Sequence, residues 1–91
     1  MSKGIHSAVG QSVPMDKRRQ VLRAYRAGFD GTSSQAAAAL TRLAVRRRFV
    51  RPRADIPGQT LTDWAASGKP PLWATLAAAE WLKEHYRNSE Q

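Results

Sequence analysis

Proline and glycine cut this chain into four stretches, and within each one apolar residues return at the period of an α-helix. The breaks fall at Pro14, at Gly28, at Pro52 and Pro57, and at Gly68-Lys69-Pro70-Pro71. Proline ends a helix because it lacks an N–H and its ring meets the preceding turn. No run alternates at the two-residue period of a strand, and neither a hairpin turn nor an internal repeat is present. The pattern predicts an all-α fold, a compact bundle of about four helices.

The first helix is predicted from Pro14 to about Ala27, since Pro14 can open a helix where the first N–H groups are unpaired anyway. Val21, Leu22 and Tyr25 share a face, with Lys17, Arg19, Arg23 and Arg26 mainly on others. Gly28 is expected to form a left-handed C-terminal cap, with Phe29 packed back over the last turn. Thr32-Ser33-Ser34-Gln35 is a capping-box pattern that starts a second helix. Its stripe is Ala36, Leu40, Leu43 and Ala44, and it should end between Val45 and Arg48. Residues 46–57 read as a connection anchored by Phe49-Val50. A short third helix starts at Pro57 or Gly58, is bounded by Gly68, and turns Leu61, Trp64 and Ala65 inward.

The fourth helix runs from Pro70-Pro71 to about Arg87 and carries two apolar rows. Leu72, Leu76, Ala79, Leu82 and Tyr86 are expected to face the core. Trp73, Ala77 and Trp81 form the second row, for which further core packing and a homodimer interface are both open. Residues 1–13 are expected to be a flexible tail, 14–88 one helical domain, and 89–91 a frayed end.

Several chemistries are not expected. The chain has no cysteine, which excludes disulfides and cysteine-ligated metal sites. The two histidines and seven carboxylates form no catalytic or metal-ligating pattern, and no glycine-rich phosphate loop occurs. Neither enzyme activity nor a metal or other cofactor is expected. Without an apolar run long enough for a membrane span, or a signal-peptide pattern, the reading is a cytoplasmic protein with no membrane partner.

Charge points to an anionic partner. The net charge is +8, from 15 Lys plus Arg against 7 Asp plus Glu, and six arginines fall between Arg42 and Arg53 with no acid among them. Arginine suits phosphate because its planar fork donates in pairs and keeps its charge. Double-stranded DNA is the first expectation. An ordinary solvated basic surface, an acidic protein partner, and RNA bound through the arginine-rich segment are the alternatives.

With the third helix in a major groove, Gln59, Thr60 and Thr62 lie nearest the base edges. Glutamine can pair with adenine at two points, and threonine can bond an edge or touch the thymine methyl. Asp63 can accept from cytosine, or serve as a cap or an arginine partner. A plain solvated helix start is the other reading of this set. Arg42, Arg46, Arg47, Arg48, Arg51, Arg53 and Lys69 are the expected phosphate contacts.

The second helix start Ser34-Gln35-Ala36-Ala37, together with Trp64-Ala65-Ala66-Ser67-Gly68-Lys69-Pro70-Pro71, resembles the lambda-repressor/Cro-type helix-turn-helix family. The likeness covers roughly Lys17 to Leu82. It implies a sequence-specific DNA-binding regulator of phage or mobile-element type, in which Gln35 contacts a phosphate and Gln59, Thr60 and Thr62 face bases. The chain departs from the family in the connection between its second and third helices. That connection is a few residues in the family, whereas twelve separate Val45 from Gly58 here.

Overall fold

Four helices form between the breaks: α1 (Met15–Gly28), α2 (Ser33–Arg46), α3 (Gly58–Ala66) and α4 (Leu72–Ser89). They are seen in a computed structural model that describes residues 13–89, with side chains as far as residue 86. Residues 1–12 of the expected tail, His6 among them, and 90–91 of the expected frayed end lie outside the described residues. No strand occurs among the described residues, and the molecule is an all-α bundle. Helices α1 and α2 each pack against both α3 and α4.

The second helix begins as its sequence dictates. The Thr32 hydroxyl accepts from the Gln35 N–H at 3.1 Å, and Gln35 Oε1 accepts from the Thr32 N–H at 2.9 Å. Two backbone donors of the first turn are thereby satisfied. Ala36, Ala37, Leu40, Leu43 and Ala44 are buried below, and the small side chains let neighbouring backbones come close. Leu22 and Tyr25 of α1, Leu61 and Ala65 of α3, Ile56 from the connection, and Ala74, Ala77 and Ala78 of α4 complete this core. The buried Tyr25 hydroxyl donates to Ala36 O at 2.7 Å. Burial pushes the Tyr25 phenol well above its ordinary pKa, against a smaller opposing effect of Arg26.

Gly28 does a different job from the one expected. It is the last residue of α1 and does not take a positive φ; the helix ends at Phe29 in extended backbone, whose N–H reaches Tyr25 O at 2.9 Å. A Cβ on Gly28 would stand 3.3 Å from Cζ3 of Trp81. Close approach of α4, rather than a left-handed turn, explains the missing side chain. Phe29 does pack back, with its ring 5.7 Å from that of Tyr25.

The last helix presents the opposite face from the one expected. Ala74, Ala77 and Ala78 are fully buried, and Trp81 packs edge-on to Tyr25 at 5.1 Å. Leu76 and Tyr86 are exposed, at 37% and 55%, Ala79 is exposed as well, and Leu72 and Leu82 are half-buried. Ala77 is therefore spent in the core and has no surface to offer a partner, while Trp73 and Trp81 are half-buried. Trp73 packs at 5.9 Å, edge to face, on Trp64. The physical reason is close packing. Alanines at 74, 77 and 78 bring α4 within reach of α1 and α2, whereas the leucine row would hold the helices apart.

Arginines of α1, which the sequence places mainly off the Val21, Leu22 and Tyr25 face, hold the end of α3. Arg23 Nη1 donates to Ala65 O at 2.7 Å, Arg19 Nη1 to Gly68 O at 2.9 Å, and Arg18 Nη1 to Pro70 O at 3.1 Å. A helix leaves its last four carbonyls unpaired, and the bend into α4 adds more. The three guanidinium groups satisfy carbonyls along that path. Arg18 Nε also donates to Val13 O, which ties down the residue where the tail was expected to end.

Candidate nucleic-acid interface

The basic segment starts at an unusual helix end. Phe49 N–H reaches Ala44 O at 2.9 Å and Arg48 N–H reaches Val45 O at 3.1 Å, the paired bonds of a Schellman motif. That motif needs a left-handed residue, and Arg48 supplies it at φ 64°. Glycine is the usual occupant because a side chain there costs about 1–2 kcal/mol. Phe49 and Val50 pack partly buried against the core, as the sequence suggested. The chain then runs back along α2. Ile56 is buried, and its N–H donates at 3.2 Å to the hydroxyl of buried Thr41. Gly58 meets the other end of α2, where a Cβ would stand 2.7 Å from Ser34 N.

This return path decides where α3 begins. The start of α3 lies against the start of α2, not beside its C-terminal end. With 1.5 Å of rise per residue, Gly58 and the basic end of α2 are about 18 Å apart.

The arginines expected to bind phosphate divide into two sets. Arg47 pairs with Glu80 at 3.2 Å and also with Glu84, and Arg42 pairs with Asp55 at 3.0 Å. The stretch from Arg42 to Arg53 contains no acid, but the fold brings three acids to it. Arg46, Arg48 and Arg51 make no ion pair among the described residues, and all three are exposed. Arg53 is exposed, donates from Nε to Ala54 O at 3.1 Å, and stands 5.4 Å over the Trp73 ring. A cleft of about 430 Å³ opens between Arg42, Val45 and Arg46 of α2 and the returning residues 52–55.

At the start of α3, Gln59, Thr62 and Asp63 are exposed and Thr60 is half-buried. Gln59 Nε2 donates to Asp63 Oδ1 at 2.9 Å, one turn along, and the Thr62 hydroxyl donates to Gly58 O at 3.1 Å. Gln35 uses its side-chain oxygen in the capping box, leaving its Nε2 amino group for another contact. Lys69 is exposed on the bend that the α1 arginines hold and makes no ion pair among the described residues. The structure thus gathers Arg42, Arg46 and Arg53 around one cleft, with Gln59 and Thr62 a helix length away.

Sequence reasoning missed Ile56 and the acceptors of the α1 arginines. Ile56 follows Asp55 in a segment with no period, so no stripe marks it as core. His85, assigned no chemistry, stacks on Trp81 at 4.6 Å. Among the described residues, no His, Asp or Glu group could hold a metal ion, and no helix is long and apolar enough to cross a membrane.

The fold and this cationic region define an all-α domain with one basic end. No protein-family model matches the chain, and comparison with curated proteins and with solved structures yields no match.

Proposed function

We propose that this chain binds double-stranded DNA, with phosphate contacts from the segment around Arg46, Arg48, Arg51 and Arg53. One observation carries the reading. These arginines stand at one end of α2 without a carboxylate partner among the described residues, next to a cleft rimmed by further arginine. Guanidinium groups without carboxylate partners keep terminal donors for phosphate oxygens. The exposed Gln59, Thr62 and Asp63 on α3 are the proposed base-reading set, favoured by their polar side chains at a helix N-terminus. In that role Gln59 gives up its bond to Asp63 when it meets a base. The proposed role is that of a small sequence-specific regulator, with affinity from one end of α2 and selectivity from the other.

Titration of random and selected duplexes across a salt series tests the reading. Log affinity should fall linearly with log salt, with a slope near −0.9 for each phosphate neutralised. Selected duplexes should bind more tightly than random ones. Absence of duplex binding at low salt would sink the proposal. A second reading, docking on an acidic protein surface, is favoured by the same exposed Arg46, Arg48 and Arg51, unpaired among the described residues. It predicts no preference among duplex sequences.

A further inference from the structure

The cleft between α2 and the returning segment is more specific than a basic patch. Arg42, Arg46 and Arg53 face one carboxylate, that of Asp55, so its rim carries a net charge of about two positive units at neutral pH. Arg42 and Arg46 are one turn apart on the same helix face, where like charges repel. Asp55 relieves only part of this, through its 3.0 Å bond to Arg42 Nη2. Arg53 is already oriented: its Nε is held by Ala54 O and its guanidinium lies over Trp73, while its two terminal nitrogens have no partner among the described residues. A side chain ordered in advance loses less entropy on binding. Val45, Pro52 and Ala54 provide apolar surface beside the guanidinium groups.

We propose that this cleft is a seat for a single phosphate group, gripped by Arg46 and Arg53, with Asp55 as the resident anion that the phosphate displaces from Arg42. The phosphate belongs to a nucleic-acid backbone or to a small phosphorylated compound; the chemistry of the seat is the same. It extends the DNA reading without requiring it. Asp55 has a definite sign in this account, because it competes with the ligand for Arg42. Removing its charge should strengthen binding.

The test is nuclear magnetic resonance of the full chain, following arginine Nε–H and tryptophan indole signals. Inorganic pyrophosphate and a short duplex are titrated separately. The expected result is saturable movement of Arg42, Arg46, Arg53 and the Trp73 indole, with Arg19 and Arg23 still. Asp55→Asn should tighten pyrophosphate binding by up to about fivefold, the scale of one exposed ion pair. Arg46→Gln, at a site outside the buried core, should weaken it. Response to the duplex alone identifies the ligand as backbone phosphate, and response to pyrophosphate without duplex binding keeps the seat while removing the DNA proposal. Duplex binding with the cleft signals unmoved overturns the seat and leaves the DNA proposal standing. Equal, non-saturating shifts at every exposed arginine, or weaker binding by a folded Asp55→Asn variant, also overturn it.

Discussion

Arg19 and Arg23 on α1 and Arg46 and Arg51 at the far end of α2 are the same residue type in one small domain, yet their surroundings differ. The first pair points at the carbonyls of Gly68 and Ala65, 2.9 and 2.7 Å away, and closes a helix end. The second pair has no ion pair among the described residues. Arginine's job is set by what the fold leaves unpaired nearby. A helix end that bends sharply into the next helix leaves carbonyls, and a neighbouring cation fills them. Net charge alone therefore overstates the charge available to a partner.

The largest effect expected from this contrast is on stability at the α1 end. Arg23→Ala removes a charged donor from a partly buried carbonyl and should cost about 1.5–3 kcal/mol in urea unfolding. Affinity for DNA, measured on the folded variant, should not follow. A loss below about 0.5 kcal/mol, the scale of ordinary surface changes, would make this arginine as dispensable as Arg51 and erase the contrast.

Arg48 sharpens the comparison, because there backbone geometry and charge oppose each other. Arg48→Gly should stabilise the fold by about 1 kcal/mol by relieving the left-handed residue, while lowering duplex affinity. Thermal unfolding and binding should move in opposite directions. Gains in both would mean the arginine serves neither. The smallest effect belongs to Arg47, which mixes the two classes. A double-mutant cycle with Glu84 should return about 0.2–1 kcal/mol, shrinking as salt rises. A coupling that ignores salt would argue against an exposed ion pair.

Local signals were readable in the sequence. Thr32 and Gln35 are three residues apart, and the capping box they make depends on nothing beyond them. The helix breaks at Gly68 and Pro70-Pro71 are equally local. The inward face of α4 was not readable, because the Leu72–Leu76–Ala79 row and the Trp73–Ala77–Trp81 row have the same period. What decides between them is Gly28, which leaves room for Trp81 from a helix distant in sequence. The arginine pairings failed to show for the same reason. Arg23 and Ala65 are 42 residues apart, and Arg47 and Glu84 are 37 apart. At the candidate site, the basic segment was legible as charge, but which of its arginines stay unpaired depends on acids that the fold delivers.

The salt dependence of duplex affinity, compared in three proteins, tests the central claim most directly. Wild type sets the slope of log affinity against log salt. Arg46→Ala/Arg51→Ala should reduce its magnitude by about 1.8, or about 0.9 for each phosphate no longer neutralised, with the fold intact. Arg19→Ala/Arg23→Ala, studied where it remains folded, should leave the slope unchanged despite losing the same formal charge. Equal flattening in both variants, or none in the first, would contradict the division of these arginines into those that hold the fold and those that meet DNA.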